Sequence, residues 1–214
     1  MFLSWEKTVL YFFCPNARRA DSMATATTTV TIFVDLQGFL VDERFIAKEV
    51  AVLRNETREL THHVFCAPME WDLLTNTEKS RASWLIANHH GLRWEDGDVD
   101  YRLAKTIIRR AVCDNLTSEI WQRGETPDAR IYVQGIERKR WLEELLGYAI
   151  CDIDATIETI DVEYGEIGQL ECLRVDRAFR CGRHQRCCAL ENVMKLRNWW
   201  NERRERLSDI DAPD

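Results

Sequence analysis

The sequence contains no run of eighteen consecutive apolar residues, so no segment of it has the composition of a transmembrane helix. Internal repeats and low-complexity blocks are also absent. What is present, 214 residues of which 45% are hydrophobic and 30% charged, suits one soluble domain with a real core. We therefore expect a globular domain that does not interact with membranes.

Positive net charge is lacking too, because the chain carries a formal charge of −7. This balance argues against a protein that binds polyanions over its whole surface. The segment from Arg174 to Arg206 differs, since ten Arg and Lys stand there against four Asp and Glu. Such a basic segment is typical of a nucleic-acid contact or of a solvated helix face. The candidates for contact with nucleic acid are Arg180, Arg183, Arg186 and Arg197.

The eight cysteines are not distributed like a disulfide framework. Four of them stand singly among apolar residues, whereas a small secreted scaffold would be denser in cysteine. We therefore expect an intracellular protein, cytoplasmic or nuclear, in which a Cys/His cluster indicates a metal or catalysis before a disulfide. The scattered residues are Cys66, Cys113, Cys151 and Cys172.

One stretch, RCGRHQRCCALENV from Arg180 to Val193, concentrates three cysteines and a histidine. Cys181 and His184 have the Cys-x-x-His spacing that can reach one ion from a tight turn, and Cys187 and Cys188 follow. Cys188 comes where a helix begins, and the helix dipole favours a thiolate there. This pattern predicts a zinc site, with a free cysteine pair packed under the helix or a redox pair as the alternatives.

The order of hydrophobic patterns predicts an α/β fold with a mixed sheet. VTIFVDLQGFL, FIAKEVAVLRN and LTHHVFCAP are three strands in quick succession, which indicates an antiparallel meander. Helix and strand patterns then alternate, ending in a helix from Ala189, and this alternation indicates βαβ units. We expect a flexible leader over residues 1–28, a domain over residues 29–207 with helices flanking the sheet, and a disordered tail over residues 208–214.

These segments, in this order, resemble the DEDDh exonuclease branch of the ribonuclease H-like fold and, within it, the Maelstrom domain. VTIFVDLQG is similar to the first exonuclease motif, with Asp35 in place but Gln37 where the family has Glu. In RIYVQGIERKRWLEELL, Lys139 or Arg140 takes the position of the second motif's Asp. In CCALENV, which is similar to the last motif, Asn192 takes the position of another Asp.

The resemblance implies a domain that has lost the usual exonuclease chemistry. That reaction needs about four carboxylates that hold two divalent cations, and Mg²⁺ takes hard oxygen ligands. Asp35 is the one family carboxylate that can be placed, so it is the single catalytic candidate. An active exonuclease dependent on Mg²⁺ or Mn²⁺ is an alternative that needs carboxylates from elsewhere. The candidates are Asp96, Asp98, Asp152 and Asp154.

The resemblance also implies a zinc site whose ligands are Glu49, Cys181, His184 and Cys188. The gap after His184 is shorter than in the family, so Cys187 could take the place of Cys188. Four protein ligands would make the zinc structural, tying the last helix to the sheet. The implied function is binding, with cleavage as an option, of single-stranded RNA in transposon silencing or a small-RNA pathway. A protein-interaction module on the same fold, with neither property, is the alternative.

Two histidine pairs and the tryptophans each allow more than one interpretation. In THHVFCAP, His62 and His63 point to opposite faces of a strand, so at most one of them joins a site. In NHHGLRW, His89 and His90 suit a structured turn, a nucleic-acid contact or a proton-transfer group. Trp200 lies on the apolar stripe of the last helix and is expected in the core, whereas an exposed Trp beside Arg could stack on unpaired bases.

Overall fold

A computed structural model of the chain describes residues 29–113, 128–147, 154–162, 181–184 and 186–210. The leader expected over residues 1–28 lies outside the described residues, as do Asp152, Arg180 and the tail from residue 211 onward. Residues 208–210 continue the last helix. No helix in the described ranges combines the length and the apolar composition that crossing a membrane requires.

Strands and helices alternate along the described ranges as they do in α/β proteins. The strands are β1 (Thr29–Val41), β2 (Arg44–Arg54), β3 (Leu60–Val64), β4 (Asp128–Gln134) and β5 (Asp154–Ile160). The helices are α1 (Asn76–Asn88), α2 (Ala104–Cys113), α3 (Gly135–Leu146) and α4 (Ala189–Ile210). Short 3₁₀ turns precede α1 and α2 at Trp71–Leu73 and Tyr101–Leu103.

The five strands form one mixed sheet in the order β3-β2-β1-β4-β5. The pairs β1–β2 and β2–β3 are antiparallel, as expected for a meander. The pairs β1–β4 and β4–β5 are parallel, as expected for βαβ units. The α/β class and the mixed sheet with flanking helices are therefore confirmed.

The central strand β1 is buried along most of its length because helices cover both faces of the sheet. Ile32 and Val34 pack in the cluster that contains residues of α2 and α3. Phe33 packs on the opposite face against α4. Since successive strand residues alternate between faces, Asp35 and Gln37 lie on the α4 side with Phe33. Both polar residues are buried there.

A β-bulge at the end of β1 brings a third polar residue to the same place. The register between β1 and β2 shifts at Gln37 and Gly38, where Gln37 stands opposite Glu49. Gly38 is required at the shift because a Cβ atom there would overlap the carbonyl of Ile46. Glu49 shares its face with Ala51, which packs in the α4 cluster. A patch of buried polar side chains therefore lies under the start of α4.

Three features of the remaining elements were not indicated by the sequence pattern. The segment YRLAKTIIRRAVCDNLTSEIW, from Tyr101 to Trp121, has the apolar spacing of a helix. It begins as a 3₁₀ turn and becomes α2 at Ala104, and residues after Cys113 lie outside the described ranges. Helix α1 begins with a capping box in which Thr75 and Glu78 bond each other's backbone amides. Cys113 is disulfide-bonded, in contrast to the unpaired thiol that its isolated position indicated, whereas Cys66 is a free thiol.

Candidate metal centre

Glu49 of β2 provides the buried carboxylate of the polar patch, with none of its side chain exposed. Its Oε1 lies 2.8 Å from His62 Nε2, and its Oε2 accepts a hydrogen bond from the Ala189 amide at 3.0 Å. The Ala189 amide is one of the unpaired donors at the start of α4, where the helix dipole favours an anion. The strand and the helix are thus joined through this one side chain.

Three side chains of the turn before α4 complete the cluster. The Cys188 sulfur is 3.5 Å from Glu49 Oε1, and His184 Nε2 is 3.1 Å from Glu49 Oε2. Cys181 and Cys188 lie together, since the Cys181 amide donates to Cys188 Sγ at 3.4 Å. One potential ligand atom from each of Glu49, Cys181, His184 and Cys188 lies within 4.8 Å of the other three. This group can hold a metal ion.

The imidazole of His184 is oriented for coordination. Its Nδ1 donates a hydrogen bond to the carbonyl of Arg186 at 2.8 Å, which leaves Nε2 as the nitrogen that can bind a metal. Nε2 is completely buried, and its neighbour is the Glu49 carboxylate, with Oε2 at 3.1 Å. In the metal-free protein a proton on Nε2 satisfies this contact, and a bound metal ion could replace that proton. A backbone carbonyl on the far nitrogen is the usual outer contact of a metal-bound histidine.

The protonation of the metal-free cluster follows from these contacts. Burial acts to raise the pKa of Glu49, but hydrogen bonds from His184 and His62 outweigh it and hold that pKa at about 2. Burial acts to lower the pKa of His184, but contacts with Cys181 and Glu49 raise it well above its usual range. The hydrogen bond between the thiols lowers the pKa of Cys181 and raises that of Cys188. When no metal is bound, His184 therefore carries a positive charge beside the Glu49 carboxylate, and the proton between the two sulfurs stays on Cys188.

The donor set of two sulfurs, one imidazole nitrogen and one carboxylate oxygen fits zinc better than magnesium or calcium. Zn²⁺ takes Cys, His and carboxylate ligands in a tetrahedron, whereas Mg²⁺ and Ca²⁺ take oxygen ligands. Four protein ligands leave no open position for water or substrate, which is typical of a structural site. His62 contacts Glu49 from outside and orients the carboxylate. The sequence pattern allowed one residue of the pair His62 and His63 to join a site, and the structure gives this contact to His62.

Cys187 points away from the metal cluster. It has a left-handed backbone, with φ of 42°, and its sulfur lies 3.6 Å from Nδ1 of His89 at the end of α1. Adjacent residues at this turn therefore face two different sites, and Cys188 rather than Cys187 contacts Glu49. Cys187 therefore does not take the place of Cys188 in the cluster, although the short gap after His184 had suggested that it could.

A second polar centre lies around Asp35, on the same face of the sheet. Asp35 is fully buried, and Nε of Arg138 lies 2.7 Å from its Oδ1. The side-chain amides of Gln37 and Asn192 each donate to Oδ2 at 2.8 Å. Asp35, Gln37 and Asn192 are the three positions that the resemblance aligned with exonuclease carboxylates, and the structure brings them together.

The cation of this centre is Arg138, whereas the sequence comparison placed Lys139 or Arg140 there. Successive helix residues point about 100° apart, so an error of one residue selects a different face of α3. Lys139 is directed along the helix, 4.0 Å from Glu143. The guanidinium of Arg138 supplies at Asp35 the positive charge that a divalent cation would bring to a carboxylate site.

The carboxylates considered as substitutes are engaged elsewhere or lie far away. Asp98 pairs with Arg183 at 2.6 Å, and Asp96 accepts a hydrogen bond from the Arg93 amide. Asp154 is paired with Asp128 on the neighbouring strand β4, and Asp128 is paired with Thr29 at the start of β1. Thr29 is six residues before Asp35, a distance of about 20 Å along a strand. Asp154 therefore does not reach Asp35.

The basic residues of the segment before and within α4 are held at the surface by protein contacts. Arg183 pairs with Asp98, and Arg186 donates to the carbonyl of Ala87 at 3.1 Å. Arg197 lies more than two turns along α4 and donates to Asn55 Oδ1 at 3.0 Å. Arg183 and Arg186 thus flank the metal cluster, whereas Arg197 is close to the β2–β3 turn.

Trp200, which was expected in the core, is half-buried, with its ring centroid 5.8 Å from those of Phe33 and Tyr132. The guanidinium of Arg204 lies over its ring at 4.7 Å. The ring thus packs on the core while a cation covers part of it.

Comparison of the chain with protein-family models, curated proteins and solved structures gives no match.

Proposed function

We propose that this chain is a zinc-stabilised, ribonuclease H-like domain of the Maelstrom type that binds single-stranded RNA inside the cell. The observation that carries the proposal is the convergence of Glu49 with Cys181, His184 and Cys188, since the resemblance implied this ligand set. Zinc would fasten the start of α4 to β2 and so complete the side of the sheet that α4 covers. The mixed sheet supports the ribonuclease H-like part of the proposal.

Metal analysis of the purified protein tests the zinc site. We expect one zinc ion per chain, with loss of the ion and reduced thermal stability in Cys181→Ser and His184→Ala. Cys187→Ser is the matched control, because it changes a neighbouring thiol that faces His89. Equal zinc content in all variants, or absence of zinc from the unmodified chain, would reject the site.

The basic residues around the zinc turn support RNA as the ligand. Arg183 and Arg186 stand beside the cluster, and their positions would depend on the folded turn. Arg180 and Arg197 extend the same basic segment in the sequence. Contacts with phosphates release counterions, so the complex must weaken steeply as salt increases.

Binding of labelled single-stranded RNA at two salt concentrations tests this part of the proposal. Arg183→Ala should weaken binding at low salt and reduce the salt slope by about one unit. Arg102→Ala is the matched control, since Arg102 is an exposed arginine that also pairs with an aspartate. An equal effect of the two variants would mean that net charge alone matters, which would contradict a binding surface at the turn.

A protein-interaction module on the same fold is the second candidate. The net charge of −7 and several exposed apolar side chains favour it. The largest of these exposures belong to Leu73, Trp84 and Ile136. Absence of RNA binding even at low salt would select this candidate. The buried ion pair between Asp35 and Arg138 opposes the third possibility, a two-metal exonuclease, because a cation already neutralises Asp35.

A further inference from the structure

A cavity of about 420 Å³ lies next to the Asp35 centre and outside the metal cluster. It opens at the carboxyl ends of the parallel strands β1 and β4, between the end of α1 and the start of α3. Crevices outside the carboxyl ends of strands are where α/β sheets bind ligands. The volume falls within the range of about 300–1,000 Å³ that small-molecule sites occupy.

The lining of this cavity has an aromatic side and a polar side. Phe45 and Trp141 stack on each other, with ring centroids 4.0 Å apart and planes 2° from parallel, and they form part of the wall. Ile136 also lines it and leaves 60% of its surface exposed. Gln37 and His89 provide polar atoms on the other side. Flat walls with a few polar groups suit a planar, polar ring such as a nucleobase.

His89 is the polar group best placed to recognise such a ring. Its Nδ1 contacts Cys187 Sγ at 3.6 Å, which orients the imidazole. Its Nε2 makes no hydrogen bond to another residue in the described part of the chain. Gln37 and Gln134 already have partners, since Gln37 donates to Asp35 and Gln134 accepts from Arg138, and the remaining acidic side chain of the wall, Glu137, is exposed to solvent. A ligand atom could therefore form a hydrogen bond with Nε2 of His89 without breaking a contact within the protein.

The basic turn and the cavity meet at the end of α1. Arg186 is bonded to the carbonyl of Ala87, two residues before His89, and the next residue, Cys187, contacts His89 itself. On the other side of the cavity, beyond Leu40, lies a smaller hollow of about 260 Å³. Arg81 and the 61%-exposed ring of Trp84 line that hollow. Positive charge at both ends and aromatic faces between them suit a strand of nucleic acid with unpaired bases.

We propose that this cavity holds one unpaired base of the bound RNA, and that Trp84 stacks on the neighbouring base. This inference rests on the proposed RNA-binding function and assigns the part of the ligand that each surface takes. The phosphates contact the basic turn, and the base enters between Ile136 and the Phe45–Trp141 pair. No covalent step is involved.

Ile136→Glu tests the cavity without altering the core. Ile136 lies at the surface in the first turn of α3, where a carboxylate suits the helix dipole and the fold should persist. Leu103→Glu is the matched control, because it adds the same charge at another exposed apolar side chain, one that does not line the cavity. The ligand is a short single-stranded oligoribonucleotide that carries one fluorescent base analogue.

We expect Ile136→Glu to weaken binding about tenfold and Leu103→Glu to change it less than about twofold. Trp84→Ala should weaken binding by a similar factor, and the fluorescence change of the analogue should disappear in Ile136→Glu. Replacing the analogue by an abasic nucleotide should weaken binding to the unmodified chain and have no further effect on Ile136→Glu.

Three results are distinguishable. If the unmodified chain binds RNA but Ile136→Glu and Leu103→Glu bind it equally, the base pocket is wrong and the proposed function stands. If the abasic RNA binds the unmodified chain as tightly as the complete RNA, the pocket is again wrong. If the unmodified chain does not bind RNA at low salt, the proposed function fails, and this inference fails with it.

Discussion

Two buried carboxylates on neighbouring strands, Glu49 and Asp35, are compensated in different ways. Both have fully buried side chains and both face α4. Asp35 is matched by a permanent cation, Arg138, and by two side-chain amides. Glu49 is surrounded by thiol and imidazole groups, whose charge depends on protons or on a metal. Buried charge must be paired, and the two centres show a fixed and an exchangeable way of pairing it.

The largest expected effect is at the cluster around Glu49. Cys188→Ala removes a ligand that joins α4 to β2, and we expect it to lower the free energy of unfolding by about 4 kcal/mol or more in zinc-containing buffer. Urea denaturation with zinc and with a chelator measures the effect. With the chelator the difference should shrink to the cost of losing one buried thiol. An equal difference in both buffers would show that no metal links the two elements.

The stability of the fold should fall when one partner of the Asp35–Arg138 pair is removed and should largely recover when both are replaced. Asp35→Ala leaves the guanidinium of Arg138 without its main counter-charge, and we expect a loss of about 3–5 kcal/mol. The double variant Asp35→Leu with Arg138→Met should recover most of this loss, because apolar groups replace the whole pair. Urea denaturation again gives the values. If the double variant loses the sum of the single effects, the two side chains are not coupled as the structure indicates.

Zinc affinity should depend on pH because the pKa of His184 and that of Cys188 are both raised. Both groups carry protons near neutral pH, and zinc must displace them, whereas Glu49 is already ionised with a pKa of about 2. Affinity therefore rises with pH, by about 100-fold per unit while both groups remain protonated in the metal-free protein. Competition with a chromophoric chelator at neutral and mildly acidic pH measures it. An affinity that does not change over this range would contradict the assigned protonation.

The smallest expected effect is that of two glycine substitutions, one beside the metal centre and one far from it, which both strain the backbone. Gly91 has φ of 77°, and an added Cβ would lie 3.3 Å from the Cβ of His184. Gly91→Ala should destabilise the fold by about 1 kcal/mol through its backbone and should also weaken zinc binding. Gly147 has φ of 78° with open space around it, so Gly147→Ala should cost the same stability and leave zinc binding unchanged. Equal zinc affinity in the two variants would mean that the turn moves freely away from Gly91.

Much of the fold could be predicted because its signals are local. β-branched and aromatic runs marked β1 to β3, and alternation of helix and strand patterns marked the parallel half of the sheet. The disulfide of Cys113 was not predictable, since isolated cysteines carry no local sign of a partner. The 3₁₀ start of the region before α2 was missed for a similar reason, because its geometry depends on packing.

The candidate site was predictable in its chemistry and less so in its details. Spacing indicated that Cys181 and His184 could share an ion, and the resemblance added Glu49. The choice between Cys187 and Cys188 needed the left-handed backbone of Cys187, which turns its sulfur toward His89. The choice of Arg138 needed the rotation of α3.

The chemical groups of this protein could be read from its sequence: soft ligands before the last helix, an aspartate after a buried strand, and a basic segment in an acidic chain. Tertiary structure alone decided which of these groups meet. Glu49 and Cys188 stand 139 residues apart in the chain and come within 3.5 Å because strand alternation and a bulge aim one of them at the start of α4. Local patterns record the periodicity of each element, whereas contacts between elements depend on register and rotation, which only packing sets.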